Sequence, residues 1–142
     1  MTKLNHPREK PLILLVDDYV DTLELTAEFL QFKGYDVVTA QDGGAAIIAA
    51  QTRQPDVVLL DLSLPVVDGL EVMRRLRKDP ATSGLRLVAF TAHAIESKAE
   101  EARAAGCDGF ITKPVAPDEM VKEIERQLEH LHQARALQQR GP

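Results

Sequence analysis

Short apolar runs alternate along the chain with longer segments in which apolar residues recur every three or four positions. Two clear runs are 12–16 and 57–60. Uninterrupted apolar runs of this length are typical of strands buried on both faces, as in a parallel sheet covered by helices. The predicted strands are residues 12–16, 36–40, 56–60, 86–90 and 108–112.

A segment with helical periodicity follows each predicted strand. In the first segment, Leu23, Ala27 and Leu30 lie among acidic residues. Gly34 closes it, at a position where a positive φ angle carries no Cβ penalty. The predicted helices are residues 20–33, 45–53, 65–78, 94–105 and 117–134. Strands that alternate with helices predict right-handed crossovers and one doubly wound parallel sheet, which is an α/β fold.

The length of 142 residues is typical of one domain with a sizeable core. We expect residues 1–10 to form a disordered lead, residues 11–130 the folded domain, and residues 131–142 a helical extension or a disordered tail. Apolar spacing continues past Leu128 for too few turns to predict a coiled coil. We therefore expect this end to fray, with a dimer contact as the alternative.

The composition argues against several classes of function. A formal net charge of -5 disfavours nonspecific binding to nucleic acid or to anionic membranes. Cys107 is the only cysteine, so neither an intrachain disulfide nor a thiolate metal cluster is encoded. No apolar run approaches the roughly 20 residues needed to span a bilayer, and the polar start does not resemble a signal peptide. We therefore expect a cytoplasmic protein.

Polar residues stand at the carboxyl ends of four predicted strands. They are Asp17, Asp18, Asp61, Thr91 and Lys113. In an open α/β sheet, ligands bind outside the carboxyl ends of the strands, where the strand order switches. Three carboxylates at one place repel each other, and a divalent cation relieves that repulsion. Because all the expected ligand atoms are oxygens, Mg²⁺, Mn²⁺ or Ca²⁺ is favoured over Zn²⁺.

Asp61 is the candidate reactive group. An aspartate can act as a nucleophile and form an acyl phosphate, and phosphoryl transfer depends mostly on positioning and charge neutralisation. Lys113 would bring a positive charge to one phosphate oxygen, and Thr91 a hydroxyl donor to another. Taken singly, Asp61 and Thr91 could also have a purely structural role and cap a helix or a turn. Their shared place at the strand ends favours a phosphoryl site.

Five motifs, in this order along the chain, carry a resemblance to a known family. They are Val16-Asp17-Asp18, Leu60-Asp61-Leu62, Leu64-Pro65 with Asp68-Gly69, Thr91-Ala92 and Lys113-Pro114. From Pro11 to about Leu128, the chain resembles response-regulator receiver domains of two-component signalling. The resemblance implies a single flavodoxin-like (βα)5 domain whose five parallel strands have the order 2-1-3-4-5.

The resemblance also implies roles for the site residues. Asp61 would accept a phosphoryl group from a phosphohistidine on a histidine kinase or a histidine phosphotransfer protein. Thr91 and Lys113 would contact that phosphoryl group. The cofactor would be Mg²⁺, with Mn²⁺ possible, and its ligands would be Asp17, Asp18, Asp61 and the backbone carbonyl of Ser63.

Phe110 occupies the family's aromatic switch position, three residues before Lys113. Receiver domains commonly carry tyrosine there. Phenylalanine leaves a rotamer switch with Thr91 possible but removes the hydroxyl. The side chains of Ser63 and His93 flank the expected phosphoryl site, and we hypothesise that they tune the lifetime of the acyl phosphate by controlling the access of water. Unchanged dephosphorylation rates in Ser63→Ala and His93→Ala would refute this hypothesis.

The expected activity is a phosphorylation-dependent switch that catalyses its own phosphorylation and its slow hydrolysis. We expect a stand-alone receiver, monomeric or weakly dimeric, that signals by contact with a protein target and binds neither DNA nor membrane. A turnover phosphatase with an aspartyl-phosphate intermediate and an interaction module that does not use phosphate stay open as alternatives. A flavin-binding module of the same topology would need a phosphate-cradling loop where Asp17-Asp18-Tyr19 stands.

Overall fold

The strands and helices follow the alternation of apolar runs and helical periodicity. The structure is a computed structural model that describes residues 9–64, 67–92 and 96–140. The strands are β1 (Leu12–Val16), β2 (Asp36–Ala40), β3 (Val57–Asp61), β4 (Arg86–Thr91) and β5 (Gly109–Thr112). The helices are α1 (Val20–Phe32), α2 (Gly43–Arg53), α3 (Gly69–Lys78), α4 (Glu96–Ala105) and α5 (Pro117–Arg140).

The five strands form one parallel sheet in the order β2-β1-β3-β4-β5. This order confirms the predicted flavodoxin-like, doubly wound α/β fold. The chain leaves β1 toward β2 and then returns past β1 to β3, so the strand order switches between β1 and β3. Their carboxyl ends lie side by side, with Val16 paired to Leu60, and form the crevice where ligands bind in such sheets.

Two apolar layers cover the sheet, because successive side chains of a strand point to opposite faces. The first apolar layer contains Leu14 and Val16 of β1 and packs against α2, α3 and α4. The second apolar layer contains Ile13 and Leu15 and packs against α1 and α5. All residues of β1 and β3 are buried. Each fully buried Leu, Ile or Val side chain stabilises the fold by about 1.5–3 kcal/mol.

The boundaries of several elements differ from the prediction. α2 begins at Gly43 rather than at residue 45, because the Asp42 carboxylate accepts a hydrogen bond from the Ala45 N–H at 2.8 Å and caps the helix. β3 and β4 extend to Asp61 and Thr91, so both residues belong to strands. These shifts leave the order of elements unchanged.

The last helix is longer than predicted, since α5 continues to Arg140. The Arg135 guanidinium lies 3.4 Å from one carboxylate oxygen of Asp56. The other oxygen accepts a hydrogen bond from the Leu12 N–H at 2.8 Å. This ion pair joins the end of α5 to the start of β3 and opposes the expected fraying. The predicted bounds of lead, domain and tail stay predictions; residues 1–8, 65–66, 93–95 and 141–142 lie outside the described residues.

The basic residues of α3 lie in two different environments. Arg74, Arg75 and Lys78 are exposed, but Arg77 is half-buried. Its guanidinium presents a planar fork of donors, which at 2.6 to 2.9 Å reaches the Gly106, Ser83 and Leu85 carbonyl oxygens and the Asp108 carboxylate. Arg77 therefore joins α3 to the segments that flank β4 and β5. None of the helices within the described ranges is long and apolar enough to cross a membrane.

Candidate functional site

An acidic cluster lies where the carboxyl ends of β1 and β3 meet. Asp17 follows β1 directly, and Asp61 is the last residue of β3. Both are buried, at 2% and 5% exposure, whereas Asp18 is exposed. One carboxylate oxygen from each of the three residues lies within 4.8 Å of the others. The structure thus brings together the three carboxylates that the sequence placed at this edge.

The backbone orients the two buried carboxylates in the same way. The Tyr19 N–H donates a hydrogen bond to Asp17 Oδ1 at 3.0 Å, and the Ser63 N–H donates to Asp61 Oδ1 at 2.9 Å. In each case the donor lies two residues beyond the aspartate, where the chain turns away from its strand. The second oxygen of each carboxylate is left to face Lys113.

The start of α3 lies directly against the residues that carry Asp61. The Gly69 N–H donates to the Leu62 carbonyl oxygen at 3.3 Å. A Cβ atom at Gly69 would lie 2.6 Å from both the Asp61 carbonyl oxygen and the Leu62 Cα atom. Real Cβ atoms essentially never approach so closely. Glycine therefore permits α3 to begin at this position, later than the predicted start at residue 65.

Lys113 brings the only positive charge recorded against the two buried carboxylates in the part of the chain that the structure describes. Its Nζ atom lies 3.2 Å from Asp17 Oδ2 and 3.2 Å from Asp61 Oδ2. The Lys113 N–H donates to the Thr91 carbonyl oxygen at 2.8 Å, which places the lysine beside the end of β4. The Nζ atom also lies 4.6 Å from the centroid of the Phe90 ring.

Phe90 is a site neighbour that the sequence reasoning missed. It is paired with Asp61 across β3 and β4, and its ring belongs to the second apolar layer. The sequence feature that could have indicated this proximity is the position of Phe90 next to Thr91, on a strand beside that of Asp61. Strand periodicity predicts that its side chain points to the face opposite Thr91. It gives no indication that the Lys113 side chain reaches over that ring.

The other predicted site residues differ in burial and in the strand that carries them. Thr91 is fully buried at the end of β4, beside the strand that carries Asp61. Phe110 is half-buried on β5 and packs against the first apolar layer. Ser63 is exposed, and His93 lies outside the described residues. Their predicted roles stay predictions.

The electrostatic environment raises the pKa of Asp61 above its ordinary value. Burial of the carboxyl group is the largest cause, and the charge of Asp17 raises the pKa further. The Ser63 N–H and the Lys113 ammonium act in the opposite direction and offset only part of this effect. Ionisation of Asp61 is thus less favourable than that of an exposed aspartate, and further positive charge nearby would favour it.

The donor set fits a hard divalent cation. The cluster offers carboxylate oxygens alone, with neither histidine nor cysteine among its members. Such ligands suit Mg²⁺ and Mn²⁺, and Mg²⁺ usually takes one or two carboxylates and retains several waters. The exposure of Asp18 leaves the cluster open to solvent on one side, where a hydrated ion has access.

Comparison with known proteins agrees with this geometry. A family model, the response regulator receiver domain, matches residues 13–125. The chain belongs to this family. The receiver domain is 29% identical over 116 residues to the polar-differentiation response regulator DivK of Brucella anthropi, with 82% of this chain and 94% of that protein covered.

Solved structures of receiver domains share the fold. The CheY-like receiver domain protein of Methanospirillum hungatei has a TM-score of 0.83 and 27% identity, and the match covers 89% of this chain and 99% of that one. Chemotaxis response regulator CheY4 of Vibrio cholerae has a TM-score of 0.79 and 30% identity, over 84% of this chain and 99% of that one. The protein is therefore a receiver domain of two-component signalling, a family that generally uses Mg²⁺ and works with histidine kinases or phosphotransfer proteins.

Proposed function

We propose that this receiver domain accepts a phosphoryl group on Asp61 from a phosphohistidine of a histidine kinase or a histidine phosphotransfer protein. The observation that carries the proposal is the buried Asp61 carboxylate, 3.2 Å from the Lys113 ammonium and beside Asp17 and Asp18. An Asp61 oxygen attacks phosphorus while the bond from phosphorus to the histidine nitrogen breaks. The electron pair of that bond stays on the imidazole, and the product is an acyl phosphate.

The chain divides the work among a few groups. Mg²⁺, or Mn²⁺ in its place, supplies positive charge that offsets the carboxylates and the phosphoryl oxygens when bound. The proposed ligands are Asp17, Asp18, Asp61 and the Ser63 backbone carbonyl. Lys113 binds one phosphoryl oxygen through its ammonium, and Thr91 donates its hydroxyl to another.

Phosphorylation would change the conformation of the domain through Thr91 and Phe110. A phosphoryl group shifts an equilibrium between two conformations only through a difference in its interactions with them. A Thr91 hydroxyl that binds the phosphoryl group supplies that difference. The Phe110 ring is half-buried on the edge strand β5, so a change of its rotamer would alter the surface there. We infer that the signal leaves through protein contacts, in a cytoplasmic monomer or weak homodimer; the net charge of -5 argues against DNA as the target.

Treatment with acetyl phosphate, with and without Mg²⁺, tests the proposal when it is followed by intact mass measurement. We expect a gain of one phosphoryl group that requires Mg²⁺ and is absent in Asp61→Asn. Asp36→Asn is the matched control, because Asp36 is an exposed aspartate on β2, and it should be phosphorylated like the wild type. No gain under any condition, or a gain in Asp61→Asn, contradicts the proposal. Sustained turnover of a small phosphate ester would instead favour a phosphatase.

A further inference from the structure

The ring of Phe90 lies beneath the Lys113 ammonium. The Nζ atom is 4.6 Å from the ring centroid, within the roughly 6 Å over which the face of an aromatic ring attracts a cation. Phe90 is only 3% exposed, and the Lys113 side chain is 28% exposed. Such a contact is stronger when it is partly shielded from water. Phe90 is not part of any of the five motifs that carry the family resemblance.

The two carboxylates that pair with the Lys113 ammonium cannot fix its position when the site binds a cation. Its ammonium pairs with Asp17 and Asp61, which are also the carboxylates assigned to the cation. Any cation at the cluster competes for the same oxygens, so both ion pairs weaken when the site is loaded. The Phe90 ring offers no oxygen to a metal. Its attraction for the ammonium is therefore available whichever ion the carboxylates bind.

The surroundings of Lys113 give it room to leave. A groove of about 1090 Å³ opens beside α1 and the start of α5, and both Phe90 and Lys113 line it. Much of the remaining lining is apolar, including Phe29, Val115 and Met120. A lysine released by its carboxylates has space to turn toward this groove and away from Asp61. Contact with the ring opposes that movement.

The ring is itself well fixed. The Phe90 side chain packs within the second apolar layer. Its backbone is paired with Asp61 on one side and Ile111 on the other, and its carbonyl oxygen accepts a hydrogen bond from the Leu62 N–H at 3.0 Å. A change of side chain leaves these backbone links in place. The aromatic face can therefore be removed without removing the strand that supports Asp61.

We propose that Phe90 is a positioning residue that holds the Lys113 ammonium at the edge of the site while Asp61 receives the phosphoryl group. This inference rests on the proposed function. Phe90 acts through Lys113 and does not itself contact the reacting atoms.

Five variants test the proposal with acetyl phosphate and Mg²⁺: Phe90→Leu, Phe90→Tyr, Val88→Ala, and Lys113→Ala alone and combined with Phe90→Leu. We expect Phe90→Leu to slow the initial rate of phosphorylation about threefold to tenfold, and Phe90→Tyr, which keeps an aromatic face, to restore most of it. Val88→Ala is the matched control, because Val88 is a buried residue of the same strand and the same apolar layer, and its rate should match the wild type. In a Lys113→Ala background, Phe90→Leu should cause no further loss.

Proton NMR supplies a readout that does not depend on phosphorylation. The ring current of Phe90 should shift the ε-methylene protons of Lys113 upfield in the Mg²⁺-bound wild type and in Phe90→Tyr, and this shift should vanish in Phe90→Leu. An unchanged shift in Phe90→Leu overturns the proposal, as does an equal rate loss in Val88→Ala or a further loss in the Lys113→Ala background. A wild type that takes no phosphoryl group defeats the proposed function, and the proton shifts then decide by themselves whether the ring holds the ammonium.

Discussion

Gly69 begins α3 so close to Asp61 that there is no room for a side chain. In Gly69→Ala, the new methyl group would lie 2.6 Å from two backbone atoms, the Asp61 carbonyl oxygen and the Leu62 Cα, whereas ordinary contact begins at 3.4 Å. Neither atom can rotate away, because Asp61 ends a buried strand and the Leu62 N–H is bonded to Phe90. The helix must move instead. Forced displacement of packed elements costs about 1–3 kcal/mol, and we expect a loss of unfolding free energy in this range.

Gly44→Ala is the matched control for this prediction. Gly44 also lies in the first turn of a helix, but among the described residues a Cβ atom there meets only the Asp42 carboxylate, at 3.5 Å. Neither glycine has a positive φ angle. Replacing a helical glycine by alanine without strain stabilises a protein by about 0.5–1 kcal/mol. Urea unfolding followed by circular dichroism should therefore show changes of opposite sign. A Gly69→Ala variant as stable as the wild type would refute the close approach of α3 to Asp61.

Displacement of α3 should also disturb the candidate metal site. Asp61 and the Ser63 carbonyl belong to the segment that the new methyl group pushes against. Isothermal titration calorimetry should show weaker Mg²⁺ binding in Gly69→Ala and unchanged binding in Gly44→Ala. Equal affinities in the two variants would mean that the contact stabilises the fold without positioning the ligands.

Three further predictions concern the charged residues. Mg²⁺ at a hundred times its dissociation constant should raise the unfolding free energy by about 2.7 kcal/mol. Calorimetry of the protein with Mg²⁺ and with a chelator measures this gain. The same gain in Asp17→Asn would contradict the assignment of Asp17 as a ligand. The folded state binds the Asp61 proton more tightly than the unfolded state, so its stability falls as pH rises between the ordinary and the raised pKa. Without metal, the Asp61→Asn variant should therefore be more stable than the wild type at pH 7. In urea titrations this difference in stability should shrink as the pH falls. A difference that grows in acid would show that the pKa of Asp61 is not raised. Asp56→Ala leaves the Leu12 N–H without its carboxylate and should cost about 1–3 kcal/mol, whereas Arg135→Ala, a half-exposed partner, should cost at most about 1 kcal/mol in the same assay; equal losses would contradict this ranking.

The sheet could be predicted from the sequence because its central strands carry a local signal. β1 and β3 are buried on both faces, so each appears as an uninterrupted apolar run that ends at an aspartate. Parallel strands bring such ends to one edge, and this places Asp17 and Asp61 together before any distance is known. The flanking glycine signals also matched, since Gly34 has a φ of +100° directly after α1.

The features that could not be predicted from the sequence are contacts between side chains and distant segments. The Asp42-Gly43-Gly44 stretch predicts a turn, and only the contact from Asp42 to the Ala45 N–H reveals a capped helix. Arg77 resembles its basic neighbours in sequence, yet its guanidinium meets carbonyl oxygens from distant segments. The contact between Lys113 and Phe90 joins two strands through one long side chain. Periodicity assigns a residue to a face, but it contains no information on such lateral contacts.

Position in the sheet, rather than local contacts, favours Asp61 over Asp17 as the proposed phosphoryl acceptor. Both are buried, both accept an N–H two residues onward, and both pair with Lys113 at 3.2 Å. Asp17 follows β1, whose outer neighbour β2 ends without a lysine or a hydroxyl side chain, at Ala40. Asp61 lies on β3, and β4 and β5 beyond it end at Thr91 and directly before Lys113. A phosphoryl group on Asp61 would lie beside the strand that ends at Thr91, whereas one on Asp17 would lie beside β2, which ends at Ala40.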